Sequence, residues 1–259
     1  MAIYLKEFET QSAYEAAQSG LILPNVSLTV DNNTVHYNPS TPPTPTHDFV
    51  EIGGIKWATM NVGANSITDA GLYFQWGDTK GYTADQVGDG EGLKYFDWED
   101  YKYAELDPSG SNGSGSGSGS GGGTYKMTKY NETDGKTVLE ATDDAVTAAW
   151  GGSWRMPTTA EFQALGAAVN TAWTQVNNVY GILCTDKTDS SKVLFFPAAG
   201  HCNGGSVDDV GSYGICWSGS LYSSNMQYAY YMNFYNGGVI WQVSDNRCCG
   251  FTVRGVLGE

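Results

Sequence analysis

Positive charge is scarce in this sequence, and its N-terminal part contains no long apolar run. Lys and Arg total 13 against 28 Asp and Glu, so the formal net charge is -15. Because nucleic-acid binding requires Lys and Arg to neutralise phosphates, the composition argues against a nucleic-acid partner. Residues 1–30 carry Lys6, Glu7, Glu9 and Glu15 and lack the apolar segment of a signal peptide or a membrane span. We therefore expect no secretion signal and no membrane insertion.

Motifs for metals, disulfide frameworks and common catalytic sites are also missing. The five cysteines, an odd number, form no Cys-x-x-Cys pair, which favours free thiols over disulfides or a zinc site. Gly135-Lys136-Thr137 lacks the earlier glycine of a phosphate loop, since Tyr130 stands at that position. The acidic residues from Asp85 to Asp100 do not follow the alternating pattern of a calcium loop, and we interpret them as a solvated surface. We expect no metal site and no cofactor.

Composition changes divide the chain into three parts. Residues 1–38 combine a helical tendency over 4–19 with an alternating hairpin pattern over 26–37. This module is too short for a core of its own, so we expect it to anchor the chain to a larger assembly or to other copies, with a homotrimer as one option. Residues 39–47 are rich in proline and predict a stiff linker. Residues 48–259 then form the main domain.

The main domain is predicted to have an α+β fold with two helices and an antiparallel sheet. Its residues 109–123 are almost pure Gly and Ser and predict a flexible loop without chemistry. Asp143 and Asp144 are placed to cap a helix that ends at Trp150, and Thr158 with Glu161 forms the capping box of a second helix. Apolar segments at 181–184, 193–196 and the C-terminal region predict strands after these helices.

The strongest turn signal is Asn236-Gly237, which lies between two alternating runs. A two-residue loop with both residues at positive φ fixes the pairing of the two strands, because side chains alternate between faces. The apolar cross-strand pairs are then Phe234–Val239, Met232–Trp241 and Tyr230–Val243. This register predicts that one face of the hairpin is buried in a core.

The other face of the hairpin is unusual for a solvated surface because it is rich in tyrosine. Its predicted members are Tyr231, Asn233, Tyr235, Ile240 and Gln242. Tyrosine supplies amphipathic contact area, while Ser, Asn and Gln supply adaptable hydrogen bonds, a combination typical of binding surfaces. A polar loop region that is merely aromatic is the structural alternative. We predict that this face binds a ligand.

Six segments in chain order carry a family resemblance: DAGLYFQWGDT, WGGSWRMPTTAEFQAL, LFFPAAG, YGICWSGS, AYYMNF and RCCGFTVRGV. They resemble the C-type lectin-like domains that serve as variable proteins of diversity-generating retroelements, particularly those of gut Bacteroides and their phages. The resemblance covers residues 48–259. It implies a C-type lectin-like fold with a constant scaffold and a variable region over 216–249, diversified at template adenines and most readily at asparagine codons.

The resemblance also implies which positions vary. They are Tyr222, Ser224, Met226, Gln227, Tyr228, Tyr231, Tyr235, Ile240, Gln242, Val243, Ser244, Asp245, Asn246, Cys248 and Cys249. Val243 conflicts with the hairpin register, which turns it inward unless a bulge lies near Ser244. We predict that the other positions form the ligand-binding surface. The adjacent thiols then become products of diversification.

The expected function is that of a phage receptor-binding or tail-tip component. It would be made in the bacterial cytoplasm, reside in the virion and contact a protein or glycan on the host cell surface. One alternative is a bacterial surface adhesin of the same fold. A second is an enzyme of the formylglycine-generating type, which would need a reactive cysteine pair. We favour a protein that is not an enzyme, and we interpret His201 beside Cys202 as a packed pair rather than a base and its nucleophile.

Overall fold

The structure is a computed structural model that describes residues 27–31, 34–38, 47–108 and 124–258. The chain divides into two units, Met1–Thr46 and His47–Glu259. In the first unit, β1 (Ser27–Asp31) pairs antiparallel with β2 (Thr34–Asn38), with Val30 opposite Val35. The predicted N-terminal hairpin is therefore confirmed. The predicted helix over 4–19, the prolines of 39–46 and the Gly/Ser stretch 109–123 lie outside the described residues.

The second unit is mostly antiparallel β-structure with two α-helices, which confirms the α+β prediction. Its elements are β3 (Phe49–Ile52), β4 (Ile55–Asn61), β5 (Ala104–Leu106), β6 (Tyr125–Met127), α1 (Ala145–Trp150), β7 (Trp154–Arg155), α2 (Thr159–Ala168), β8 (Val169–Val176), β9 (Val179–Asp186), β10 (Val193–Pro197), β11 (His201–Asn203), β12 (Ser206–Asp208), β13 (Tyr213–Leu221), β14 (Tyr228–Tyr235), β15 (Gly238–Asn246) and β16 (Arg254–Leu257). The larger sheets have the strand orders β3-β4-β16-β7, β10-β9-β8 and β13-β14-β15.

Both helices begin at the predicted caps. The Asp144 carboxylate accepts hydrogen bonds from the backbone N–H groups of Val146 and Thr147, and α1 stops at Gly151, whose φ is 67°. At α2, the Thr158 hydroxyl accepts from the Glu161 N–H while Glu161 accepts from the Thr158 N–H, a complete capping box. The local chain therefore determines where each helix starts.

The sheet β13-β14-β15 lies between two hydrophobic cores. The first core is centred on Trp76, Trp217 and Phe251. The second core is formed by α2 and the sheet β10-β9-β8, with Phe162 and Phe196 among its buried side chains. Residues along β13 alternate between these cores, since Trp217 belongs to the first and Cys216 to the second. This sheet is therefore covered on both faces over part of its length.

The turn between β14 and β15 falls at Asn236-Gly237 as predicted, but its backbone differs from the prediction. Tyr235 pairs with Gly238 across the turn, and Phe234 pairs with Val239. Neither Asn236 nor Gly237 has positive φ; the positive value, 130°, is at Gly238. The turn is therefore not the mirror-image type that the dipeptide indicates, although its position sets the same pairing near the loop.

Candidate functional site

A β-bulge in β15 changes which residues share a face of the hairpin. Asn233 lies opposite Ile240, but Tyr231 lies opposite Val243, so β15 has one more residue than β14 between these pairs. Beyond the bulge the predicted register is wrong by one residue, and Tyr230 pairs with Ser244 instead of Val243. The bulge places Val243 opposite Tyr231 instead of Tyr230, but Val243 still packs against the first core, so it does not face outward as the resemblance implies.

Tyr231 is the clearest correction to the predicted surface. It was expected to face outward, but it is 8% exposed and belongs to the first core. Its ring contacts those of Trp217 and Phe251, with centroids 5.9 and 5.1 Å away. The expectation failed because this part of β14 is covered on both faces. Alternation between a solvent-exposed and a buried face therefore does not apply there.

A cluster of tyrosines forms the main candidate surface at the end of the sheet near α2. The Tyr222 ring stacks on Tyr228 at 6.4 Å and meets Tyr230 edge to face at 5.3 Å. Ser244 lies opposite Tyr230 on β15, and Gln242, two residues earlier, follows on the same face. Gln242 accepts a hydrogen bond from the side chain of Gln163 on α2. We call Tyr222, Tyr228, Tyr230, Gln242 and Ser244 the tyrosine surface.

Tyr230 is a site residue that sequence reasoning placed in the core. It is half-buried, and its neighbours on the same face include Tyr228 and Tyr222 rather than Val243. Tyr228 and Tyr230 are two residues apart, a spacing that places both side chains on the same face of a strand. Tyr230 does share a face with Met232 and Phe234, but the second core includes those two residues and not Tyr230, and a sequence pattern does not reveal how far a core extends.

An open groove of about 560 Å³ adjoins the loop between β13 and β14. One wall contains Ser224, Met226 and Gln227, all of them predicted site residues, and the other contains residues 125–127 and 131–133. The Gln227 side-chain N–H₂ donates to the Tyr125 carbonyl at 2.9 Å, while its buried Oε1 has no hydrogen-bond partner among the described residues. An unpaired buried acceptor leaves unused hydrogen-bonding capacity at this wall.

Tyr235 and Ile240 lie apart from the tyrosine surface, at the tip of the hairpin. Tyr235 stacks on the exposed Tyr213 with ring centroids 5.3 Å apart, and Ile240, 45% exposed, lies opposite Asn233. Because of the bulge, Ile240 and Gln242 are on opposite faces, although both were predicted on one. The residues predicted to form one binding surface therefore divide into two separate surfaces and a group of buried residues.

The group of buried residues consists of Tyr231, Asn246, Cys248 and Cys249. The cysteines were expected on a strand but lie in a turn after β15, where Cys248 packs into a small core with Tyr101 and Cys249 packs into the first core. The adjoining Cys248 thiol and burial together raise the pKa of Cys249. A protonated, buried thiol is a poor nucleophile and a poor contact for a ligand. Asp245 is half-buried, and burial raises the pKa of its carboxyl.

Arg247, within the predicted variable region, holds the site to the scaffold. Its guanidinium is fully buried and donates to the carbonyls of Met226 at 2.8 Å, Lys129 at 3.1 Å and Tyr130 at 3.2 Å, and to the Tyr101 hydroxyl at 2.8 Å. Burying a charged group is costly unless its N–H donors are hydrogen-bonded, and these four acceptors provide such hydrogen bonds to the guanidinium. Arg247 therefore fixes the groove wall at Met226.

A buried carboxylate supports the same region. Asp143 accepts hydrogen bonds from the Tyr130 hydroxyl at 2.5 Å, from Lys129 at 2.5 Å and from the Tyr103 hydroxyl. Burial alone would raise the pKa of Asp143, but these hydrogen bonds outweigh it and lower the pKa to about 2. Asp143 is therefore ionised under ordinary conditions and orients the residues beneath the groove.

Within the described ranges, no three His, Cys, Asp or Glu side chains are grouped so that they could hold a metal ion. Likewise, no helix in the part of the chain that the structure describes is long and apolar enough to cross a membrane. Comparison with protein-family models, with curated proteins and with solved structures finds no match to this chain. The functional interpretation therefore depends on the residues and their geometry.

Proposed function

We propose that this protein is a C-type lectin-like variable protein of a diversity-generating retroelement, acting as a phage receptor-binding or tail-tip component. In this role it binds a protein or glycan on the host cell surface and does not catalyse a reaction. The six ordered sequence segments support the family proposal. The tyrosine surface carries the proposal of binding, because the Tyr222 ring contacts the rings of Tyr228 and Tyr230, and the uncharged Ser244 lies opposite Tyr230.

The chemistry of the tyrosine surface suits recognition of a large ligand. The chain has a formal net charge of -15, yet no member of this surface is charged. A neutral, amphipathic patch on an acidic protein allows contact without desolvating a charge. The Tyr222 ring already contacts the other two rings, which reduces the side-chain entropy lost on binding. We therefore propose the tyrosine surface, with the adjoining groove wall of Ser224, Met226 and Gln227, as the binding site.

The packing beneath the site is consistent with a surface that changes while its scaffold stays constant. Ser224 and Gln242 are exposed, whereas Trp217, Met232 and Phe234 are buried. Substitution of exposed side chains usually changes stability little, and substitution of buried ones usually destabilises the fold. Tyr231, Asn246, Cys248 and Cys249 are buried, so we propose that diversification reaches them only within the limits of packing.

The DNA next to the gene tests the family proposal. We expect a reverse-transcriptase gene and a near-copy of codons 216–249 that differs from the coding sequence only at adenines of the template. Sequencing independent isolates should show changes concentrated at codons of the tyrosine surface and groove wall. A locus with neither the reverse transcriptase nor the near-copy would contradict the proposal.

Cell binding tests the site. The full-length protein, labelled with a fluorophore, is incubated with intact cells of several bacterial strains, and bound fluorescence is measured by flow cytometry. Tyr228→Ser is expected to reduce binding to any recognised strain by about tenfold, the loss of a contact worth about 1.4 kcal/mol. Val210→Ser is the control, because Val210 is an apolar residue, 64% exposed, that lies between β12 and β13, outside both the site and the β8 edge. Equal losses for both variants would contradict the site assignment.

A further inference from the structure

The outer edge of β8 is unpaired in the described part of the chain. β8 is the last strand in the order β10-β9-β8, and its ladder with β9 continues without a bulge from Val169 to Val176. The connecting residues Asn177 and Asn178 have φ values of 49° and 65°, the conformation of a two-residue mirror-image turn. β8 is thus a regular, extended strand that pairs on one side only among the described strands.

The register shows which backbone groups face away from β9. A two-residue turn closes on a hydrogen-bonded pair, here Val176–Val179, and bonded and non-bonded pairs alternate along an antiparallel ladder. Thr171, Trp173 and Gln175 therefore direct their N–H and C=O groups outward. Among the described residues, no hydrogen bond outside the β9 ladder reaches these groups. An unpaired row of this kind is a template for another strand.

The common protections of an edge strand are absent from β8. It contains no charged residue, no proline and no bulge, and its Asn170, Thr171, Ala172 and Gln175 are exposed. Two other sheet edges in this unit have hydrogen-bond partners. The Trp217 N–H of β13 donates to the Thr252 carbonyl at 3.0 Å, and Arg254 donates to the Phe195 carbonyl of β10 at 3.1 Å. β8 differs from them in having an open, neutral edge.

We propose that this edge pairs antiparallel with β8 of a second copy of the chain, joining two three-stranded sheets into one. Each copy carries a formal net charge of -15, so a segment without charged residues is where two copies meet the least local repulsion. Pairing about a two-fold axis at Trp173 places Thr171 opposite Gln175 of the partner and brings no two like charges together. The stacked rings of Trp173 and Tyr180, with centroids 5.8 Å apart, add apolar contact area beside the joined strands. This dimer is independent of the proposed ligand.

Sedimentation velocity of the full-length protein over a range of concentrations tests the proposal. We expect the wild-type protein to change from one chain to two as concentration rises. Ala172→Lys places two like charges beside the two-fold axis and should weaken dimerisation by about tenfold or more. Ser190→Lys, which adds the same charge in an exposed turn away from β8, is the matched control and should dimerise like the wild type.

A second variant separates edge pairing from unfolding. Thr171→Pro removes an outward N–H that β9 does not use, so the fold should persist by circular dichroism while the dimer is lost. A wild-type protein that stays a single chain at all concentrations would overturn the proposal. It would equally be overturned by a dimer that survives both Ala172→Lys and Thr171→Pro, or by a three-chain species that these substitutions leave unchanged.

Discussion

At the scale of single residues, burial separates predicted site residues that contact a ligand from those that hold the fold. Gln242 and Tyr231 were predicted on one face, yet Gln242 is exposed on the side of α2 and Tyr231 is packed against Trp217 and Phe251. The side-chain type does not distinguish them, because tyrosine is compatible with either environment. Their surroundings do, and this difference can be measured.

Tyr231→Ala should lower the free energy of unfolding by about 3 kcal/mol, since it leaves a cavity in the first core. Gln242→Ala should change that free energy by no more than about 0.5 kcal/mol. Urea denaturation followed by tryptophan fluorescence measures both values. Comparable effects of the two substitutions would contradict the assignment of Tyr231 to the core.

Asp143 gives a prediction for acid stability. Its pKa is about 2 in the folded protein and 3.8 for the unperturbed side chain, so its stabilising effect is present above pH 3.8 and is lost as the pH falls through 2. The wild-type protein should lose about 2 kcal/mol more than Asp143→Asn between pH 4 and pH 2. Urea titrations at several pH values measure this. Parallel curves for the two proteins would refute the ionised, hydrogen-bonded role of Asp143.

At the scale of elements, helix starts and strand alternation follow from the local sequence, whereas the bulge in β15 does not. The capping residues Asp144 and Thr158 act within three residues of themselves, so a sequence pattern contains the whole interaction. The bulge accompanies the packing of Trp241 against α2, a contact between distant parts of the chain. That is why the predicted register is correct near Asn236-Gly237 and wrong beyond the bulge.

Gly166 of α2 tests the contact with β15. A Cβ at this position would lie 2.5 Å from the Trp241 ring, although alanine is intrinsically the better helix former by about 1 kcal/mol. Gly166→Ala should therefore destabilise the protein, by about 1 to 3 kcal/mol, because overpacking outweighs propensity. Thermal denaturation is the measurement. Gly166→Ala combined with Trp241→Leu should recover part of the loss, and a stabilised single variant would refute the close contact.

At the scale of the whole molecule, two cores cover opposite faces of the same sheet and leave two areas open. The open areas are the tyrosine surface with its groove and the hairpin tip at Tyr235 and Ile240. Substitutions confined to exposed positions should therefore leave the cores intact. Contacts between the two open areas are absent from the described hydrogen bonds and ring pairs, so their effects should add.

The combined variant Ser224→Tyr, Ile240→Asn and Gln242→Tyr tests this organisation. We expect its unfolding temperature to stay within about 4 °C of the wild type, corresponding to about 1 kcal/mol. The same number of substitutions at Tyr231, Asn246 and Cys249 should abolish cooperative unfolding in a calorimetric scan. If both sets destabilise alike, the division between a permissive surface and a fixed scaffold is refuted.

The sequence by itself determined the α+β class, both helix caps, the N-terminal hairpin and the turn at residues 236–237, because each depends on interactions between residues close in the chain. The tertiary structure alone decided that Tyr231, Asn246, Cys248 and Cys249 are buried, that Tyr230 joins the tyrosine surface and that the outer edge of β8 is unpaired among the described residues. These properties depend on which distant elements cover each face of a strand. Alternation of side chains along a strand shows that the strand has two faces. The packing of other elements determines which face is exposed to solvent.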